Sequence, residues 1–289
     1  MVIDVAVMFA LGAAFSYAVA DMAMRYGIQH TTPFVGSTIG RTFSVTTLGV
    51  LILLSGATFP AWGPHYLWVL VAGVLNPGLF AICFMFGIMK IGVSRAAPIK
   101  GSSPIIAAFL AIFFLSERPA LLQLGGVFLI VCGIGLISSG KTEGKWRRID
   151  ALWPLAAAGF AGVGAIFWRK GIPAFPQPLV GALIGMTAAL FMVAIYAFTF
   201  KRDQILGGVK SAWRPFLLGG VAGAIGNFCY ASALQKGEVF RMVSLIQISP
   251  LLTVLFALML LRKTEAITWR VPAGAVLTVG GAILVNLRL

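Results

Sequence analysis

Acidic side chains are scarce in this sequence. Its 289 residues include 8 Asp and Glu against 22 Lys and Arg, with only 2 His and 3 Cys. So few titratable groups leave little material for catalysis. No HExxH run, Ser-His-acid set or paired carboxylates occur, and His30 and His65 fall between apolar runs. No catalytic residue, metal or cofactor is expected, and the chain is not read as an enzyme. Cys83, Cys132 and Cys229 lie inside apolar runs with no CxxC pair, which points to buried packing rather than redox or metal work. Charged residues of all kinds make up 10%. Hydrophobic residues make up 60% and mean hydropathy is +0.98, more apolar surface than a soluble interior of this size hides. A net charge of +14 would suggest nucleic acid in a soluble protein. Here the basic residues cluster between apolar runs, where they anchor loops at a lipid surface, and no nucleic-acid partner is expected. A basic n-region is missing too. Residues 1–4 carry no Lys or Arg, so Ala18-Val19-Ala20 reads as part of a first membrane helix, not as a signal cleavage site.

Long apolar runs are what the sequence does have. About 20 apolar residues in helical form cross the hydrocarbon of a bilayer. Ten such runs are present, near residues 5–26, 34–54, 66–88, 94–115, 119–138, 152–168, 179–199, 213–234, 239–261 and 267–287. Turn residues and charges separate them, as at Thr32-Pro33, Ser55-Gly56 and Ser116-Glu117-Arg118. Backbone polar groups in lipid must be paired internally, so the expected fold class is an all-α membrane protein of ten transmembrane helices.

The chain repeats itself with a shift of about 146 residues. Cys83 meets Cys229, Lys90 meets Lys236, Arg95 meets Arg241, and Ser103-Pro104 meets Ser249-Pro250. These residue types are rare here, so chance coincidence is a poor explanation. Arg25-Tyr26-Gly27-Ile28 matches Arg169-Lys170-Gly171-Ile172, and Gly36-xxx-Gly40 matches Gly181-xxx-Gly185. Beyond a two-residue insertion, Gly126 and Gly133 match Gly274 and Gly281. The expected organisation is a first five-helix repeat at 1–140, a basic linker at 141–150 and a second five-helix repeat at 151–289. An odd number of helices per repeat inverts the second against the first, a recurrent plan of secondary transporters.

The residues that repeat also resemble a family. Lys90-Ile91-Gly92-Val93-Ser94-Arg95, Ser103-Pro104-Ile105 and Ser116-Glu117-Arg118, with second copies at Lys236 to Arg241, Ser249-Pro250 and Thr264-Glu265, look like the drug/metabolite transporter superfamily, EamA type. The likeness covers nearly the whole chain, in duplicate. It implies ten helices and export or exchange of small metabolites, and the pattern is similar to the amino-acid exporters, aromatic amino acids included. Departures exist: Ser16-Tyr17-Ala18 stands where Trp-Gly is often found in the first helix, and the second glutamate is displaced to Glu265.

Polar residues inside the runs are the candidate site, because an ionisable group in a bilayer is expensive. Asp21 and Arg25 stand at i and i+4 and are expected to form a structural ion pair. Arg41 lies a third of the way into the second run, where it either braces the bundle or meets substrate. Lys100 is the strongest single charge. A substrate cavity is expected from Tyr17, Asn76, Phe80, Phe84, Lys100, Ser103, Trp168, Asn227, Tyr230, Ser244 and Gln247. Asn76-Pro77-Gly78 should interrupt the third run and Gly226-Asn227 the eighth at a matching level. Pro104 and Pro250 each remove a helical hydrogen bond, and paired hinges are expected there. Glycine pairs are read as close packing.

Of the eight acids only Asp21 falls well within a run, beside Arg25. Ion coupling normally uses an interior carboxylate, so a uniporter or exchanger is expected, with a proton-coupled antiporter, a drug or other-metabolite exporter, and more distantly a channel as alternatives. Lys100 and Arg41 favour zwitterions or weak anions over cationic drugs. The partners expected are a small-molecule substrate and the lipid bilayer, with a monomer or weak oligomer as the unit. The setting expected is a bacterial inner membrane, with both termini on one side. Basic residues concentrate on the other side, at Arg25, Lys90, Arg95, Lys141, Arg147, Arg148, Lys201, Arg202, Arg262 and Lys263. The positive-inside rule then puts the termini outside the cytoplasm, whereas the resemblance implies cytoplasmic termini.

Overall fold

The computed structural model describes residues 4–27, 31–138, 147–200, 202–260 and 269–287. Lys141, Lys201, Arg262, Lys263, Glu265 and His30, singled out above, lie outside the described residues. Within them there is no strand. Two uninterrupted helices come first, α1 (Val5–Gly27) and α2 (Pro33–Ser55). Pro33 opens α2, where its missing N–H costs nothing, and Gly56 closes it at φ 64°, a conformation cheap only for glycine.

The third span is α3 (Pro64–Gly73) and α4 (Phe80–Ile91) joined by a π-type turn, Val74–Leu79. The fourth is α5 (Val93–Lys100) and α6 (Ser103–Leu115), and the fifth is α7 (Leu121–Ser138). In the second half, α8 (Leu152–Gly171) and α9 (Pro178–Phe200) are continuous. So is α10 (Arg202–Lys236), which carries the eighth span. The ninth is α11 (Val239–Ile246) with α12 (Ser249–Leu260), and the tenth is α13 (Arg270–Asn286). Nine segments among the described residues are long and apolar enough to cross a membrane, and Arg270–Asn286 is a shorter apolar helix. The expected all-α, ten-helix membrane architecture is the one found.

Burial is the reverse of a soluble bundle. Large apolar side chains such as Leu53 and Leu121 face outward. Small ones, such as Ala6, Ala10, Ala13, Ala157 and Ala165, are fully buried between helices. Lipid tails are as apolar as leucine, so close backbone approach and dispersion hold such helices together. Of the cysteines only Cys83 is buried, and Cys132 is exposed. The packing expectation holds for Cys83 and for the half-buried Cys229, which packs against the core, but not for Cys132, which sits on an outward face of α7.

The inverted repeat is visible in who touches whom. Helix α1 packs on α10, and its mate α8 packs on α3 and α4. Helix α6 packs on α8, and α12 packs on α1. Helix α2 meets α9, and α7 meets α13, each element against its own mate. The glycines make this literal. A Cβ on Gly126 would sit 2.7 Å from the Gly281 carbonyl oxygen, and one on Gly281 would sit 2.6 Å from that of Gly126. Gly133 and Gly274 face each other in the same reciprocal way. Residues that match in the order 126 to 274 and 133 to 281 touch in the crossed order, as a two-fold axis between antiparallel helices requires.

Candidate functional site

Both Ser-Pro spans break at equivalent points. Helix α5 ends at Lys100 and α6 begins at Ser103, while α11 ends at Ile246 and α12 begins at Ser249. Pro104 and Pro250 therefore stand in the first turn of a new helix segment. Their missing N–H groups cost nothing there, and the interruption lies just before them rather than at them. The two breaks touch: the Gln247 side-chain amide donates to Ser103 Oγ at 2.9 Å, both residues buried.

The third span breaks at Asn76, whose φ of −140° and ψ of 110° leave the helix. Two carbonyls at the break accept side-chain donors from other helices. Trp168 Nε1 donates to the Asn76 carbonyl at 3.2 Å, and Arg41 Nη2 to that of Pro77 at 3.1 Å. The matching interruption expected at Gly226-Asn227 does not occur, since α10 runs straight through. No proline stands there to delete a donor, and Asn227 Nδ2 bonds back to the Gly223 carbonyl at 2.8 Å.

These breaks surround a cavity of about 280 Å³. Of the expected cavity residues, Tyr17, Asn76, Phe80, Lys100, Ser103, Trp168, Asn227, Tyr230 and Gln247 line it. Phe84 stands behind Phe80, stacked at 6.0 Å, and Ser244 is turned into its own helix, donating to the Phe240 carbonyl at 2.6 Å. Lys100 Nζ lies 5.5 Å from the Phe80 ring centre and 5.6 Å from that of Phe84, within cation–π range. Trp168 and Tyr230 meet edge-to-face at 6.1 Å.

The wall also holds residues outside the expected cavity set, among them Asp21, Arg41 and Ser37. Asp21, expected to form a local pair with Arg25, lines the cavity together with Lys100. Arg41 and Ser37 on α2 complete the wall, with Arg41 Nη1 donating to Ser37 Oγ and to its carbonyl at 3.4 Å. The i,i+4 spacing of Asp21 and Arg25 is equally compatible with a pair and with a residue turned inward. Asp21 is accessible although protein surrounds it, while its counterpart on α8, Ala165, is fully buried. Access to the cavity is thus on the face where α1 ends.

The face that carries the chain ends is closed by polar contacts. Glu117, between α6 and α7, accepts the backbone N–H of Val239 at 2.7 Å and of Phe240 at 3.1 Å, capping α11 across the repeat boundary. Burial raises its carboxyl above the ordinary 4.5. The two N–H donors and Arg169 oppose that rise, and Glu238 adds to it. Arg169 donates to the carbonyls of Leu234 and Gln235 at 2.7 and 2.8 Å, covering the C-terminal turn of α10. Arg241 reaches the Asn286 side chain at 3.1 Å and lies 3.8 Å from Asp4. Glu117 and Arg241 were visible in the sequence only as repeated motif residues. Val239 and Phe240 lie far from Glu117 in the chain, as Asn286 and Asp4 do from Arg241, which also has Glu238 nearby at 3.8 Å.

Comparisons with known proteins agree with this architecture. The EamA-like transporter family matches twice, over residues 4–139 and 148–287. Protein PagO of Salmonella typhimurium is 24% identical over 87% of this chain and 83% of its own length. YcxC of Bacillus subtilis, described as an uncharacterized transporter, is 26% identical over 76% of this chain and 73% of its own. A crystal structure, described only as that of a protein, superposes with a TM-score of 0.82 over 98% of this chain and 99% of that one. Its 14% identity speaks to the fold alone.

Proposed function

The chain belongs to the EamA-like transporter family, and from that premise we propose that it carries amino acids, aromatic and other neutral ones, out across a bacterial inner membrane by alternating access, as a uniporter or exchanger. The observation that carries this reading is the cavity's mixed chemistry. Asp21 offers a negative group, Lys100 and Arg41 positive ones, and Tyr17, Phe80, Trp168 and Tyr230 an aromatic wall. A zwitterion with an apolar side chain matches all three. A volume of about 280 Å³ lies at the small end of metabolite pockets, which run to about 1,000 Å³, so one small molecule fits and a peptide does not.

Alternating access is supported by the pairing of an accessible cavity with a latched opposite face. Pro104 and Pro250, at the two-fold-related breaks, are the hinges in this proposal. A second reading, exchange for a proton at Asp21, is favoured by one observation: that carboxylate faces the cavity. Counterflow of labelled amino acids into proteoliposomes tests the first reading, across aliphatic, hydroxyl, aromatic and charged side chains. Uptake of neutral amino acids without an ion gradient is expected. No uptake of any amino acid, with the protein folded and inserted, refutes it.

A further inference from the structure

Three charged side chains line the cavity: Asp21, Lys100 and Arg41. Two positive charges face one negative charge, so the wall carries an excess of positive charge. No carboxylate is paired with Arg41 among the described residues. Its charge is met only by neutral acceptors: the Pro77 carbonyl, the Ser37 carbonyl and Ser37 Oγ. Its Nε is buried with no partner at all.

An uncompensated guanidinium in a low-dielectric wall is costly unless something neutralises it. Guanidinium matches carboxylate in a planar fork of N–H donors, with more geometric selectivity than an ammonium. The contacts to Ser37 and Pro77 come from α2 itself and from the broken third span, so they hold the group in place before any ligand arrives. We infer that Arg41 is the anchor for the transported molecule's carboxylate, and that this carboxylate is required while the substrate's ammonium is secondary. The inference rests on the proposed amino-acid reading for its choice of ligands, but not for its outcome. It places specificity on the acid group, since the wall sets two cations against a single carboxylate.

Ligand-induced shifts in thermal unfolding of the full chain in nanodiscs test it, with four probes sharing one ring: phenylalanine, 3-phenylpropionate, phenylalaninamide and phenethylamine. Phenylalanine and 3-phenylpropionate are expected to bind. The amide and the amine are expected to bind at least about 30-fold more weakly, the loss typical of removing one partner of a buried charge pair. Arg41→Gln should abolish that preference, and Arg41→Lys should restore part of it. The wild-type ligand series needs no variant, so a folding defect in Arg41→Gln leaves the test intact. Binding of 3-phenylpropionate without phenylalanine would overturn the amino-acid reading and leave the anchor standing. Equal binding of acid, amide and amine would overturn the anchor and leave the amino-acid reading standing. No binding of either acid would overturn the anchor as well.

Discussion

Removing the Glu117 carboxylate should open the face that carries the chain ends. The N–H groups of Val239 and Phe240, on residues that are 0% and 1% exposed, have that carboxylate as their acceptor. In Glu117→Ala both donors are left buried and unsatisfied, at about 1–3 kcal/mol each. Glu117 itself is only half-buried, so water replaces part of the loss, and about 2 kcal/mol in total is a reasonable figure. The cost falls on the closed arrangement alone if the donors are hydrated when that face opens. At tenfold per 1.4 kcal/mol, the open population then rises roughly 30-fold. The assay is labelling of Val243→Cys, a cavity residue on α11, on a background without Cys83, Cys132 and Cys229. Sealed vesicles with that face outward receive an impermeant thiol reagent. Glu117→Gln removes the charge and keeps one acceptor oxygen, but sets an amide NH2 against the second N–H. It should label faster than the parent and more slowly than Glu117→Ala. The pH dependence follows from the raised carboxyl. A group raised in the closed form takes up its proton more readily there, so falling pH favours closure, from the raised value down to the ordinary 4.5. Labelling of the parent should slow over that window, and labelling of Glu117→Gln should not. Unchanged labelling in Glu117→Ala, with the protein intact, would refute the latch.

Three further outcomes are expected. Gly281→Leu, whose Cβ meets the Gly126 carbonyl oxygen at 2.6 Å, should lower thermal stability by about 1–3 kcal/mol or more, while Gly280→Leu, with open space, should change little; equal melting temperatures would contradict the seam between α7 and α13. Pro104→Ala and Pro250→Ala should each slow turnover several-fold with little change in ligand affinity, and unchanged turnover in both would remove them as hinges. Asp21→Asn should leave counterflow measurable if transport is uncoupled from protons, whereas loss of pH-driven uptake from a strongly pH-driven parent would establish the proton-exchange reading.

The spans and the duplication were legible because lipid demands long apolar runs and because Lys, Arg, Cys and Ser-Pro stand out against them. Ser103-Pro104 and Ser249-Pro250 located the breaks to within two residues. Asn76-Pro77 marked the third-span break correctly, but Gly226-Asn227 looked equivalent and was not, since glycine permits a break without forcing one. The face that Asp21 presents was not legible. A membrane helix is apolar nearly all round, so hydrophobic periodicity carries little about which side turns inward. The Arg41–Pro77 and Glu117–Val239 contacts span 36 and 122 residues, and no local pattern encodes such partners. The recurrence of an acid after each Ser-Pro span was the one available signal for Glu117.

The third span breaks at Asn76-Pro77, and its counterpart in α10, Ala222-Gly223, does not. Two identical halves exchanging roles would give inward- and outward-facing forms of equal free energy. This chain lacks that degeneracy, because the broken span belongs to only one half. A passive carrier built this way has different half-saturation concentrations and different maximal rates on its two sides. Microscopic reversibility still binds them, so the ratio of maximal rate to half-saturation is the same in both directions. For the uncoupled transport proposed above, the unmatched break would make the carrier kinetically lopsided without letting it store a gradient.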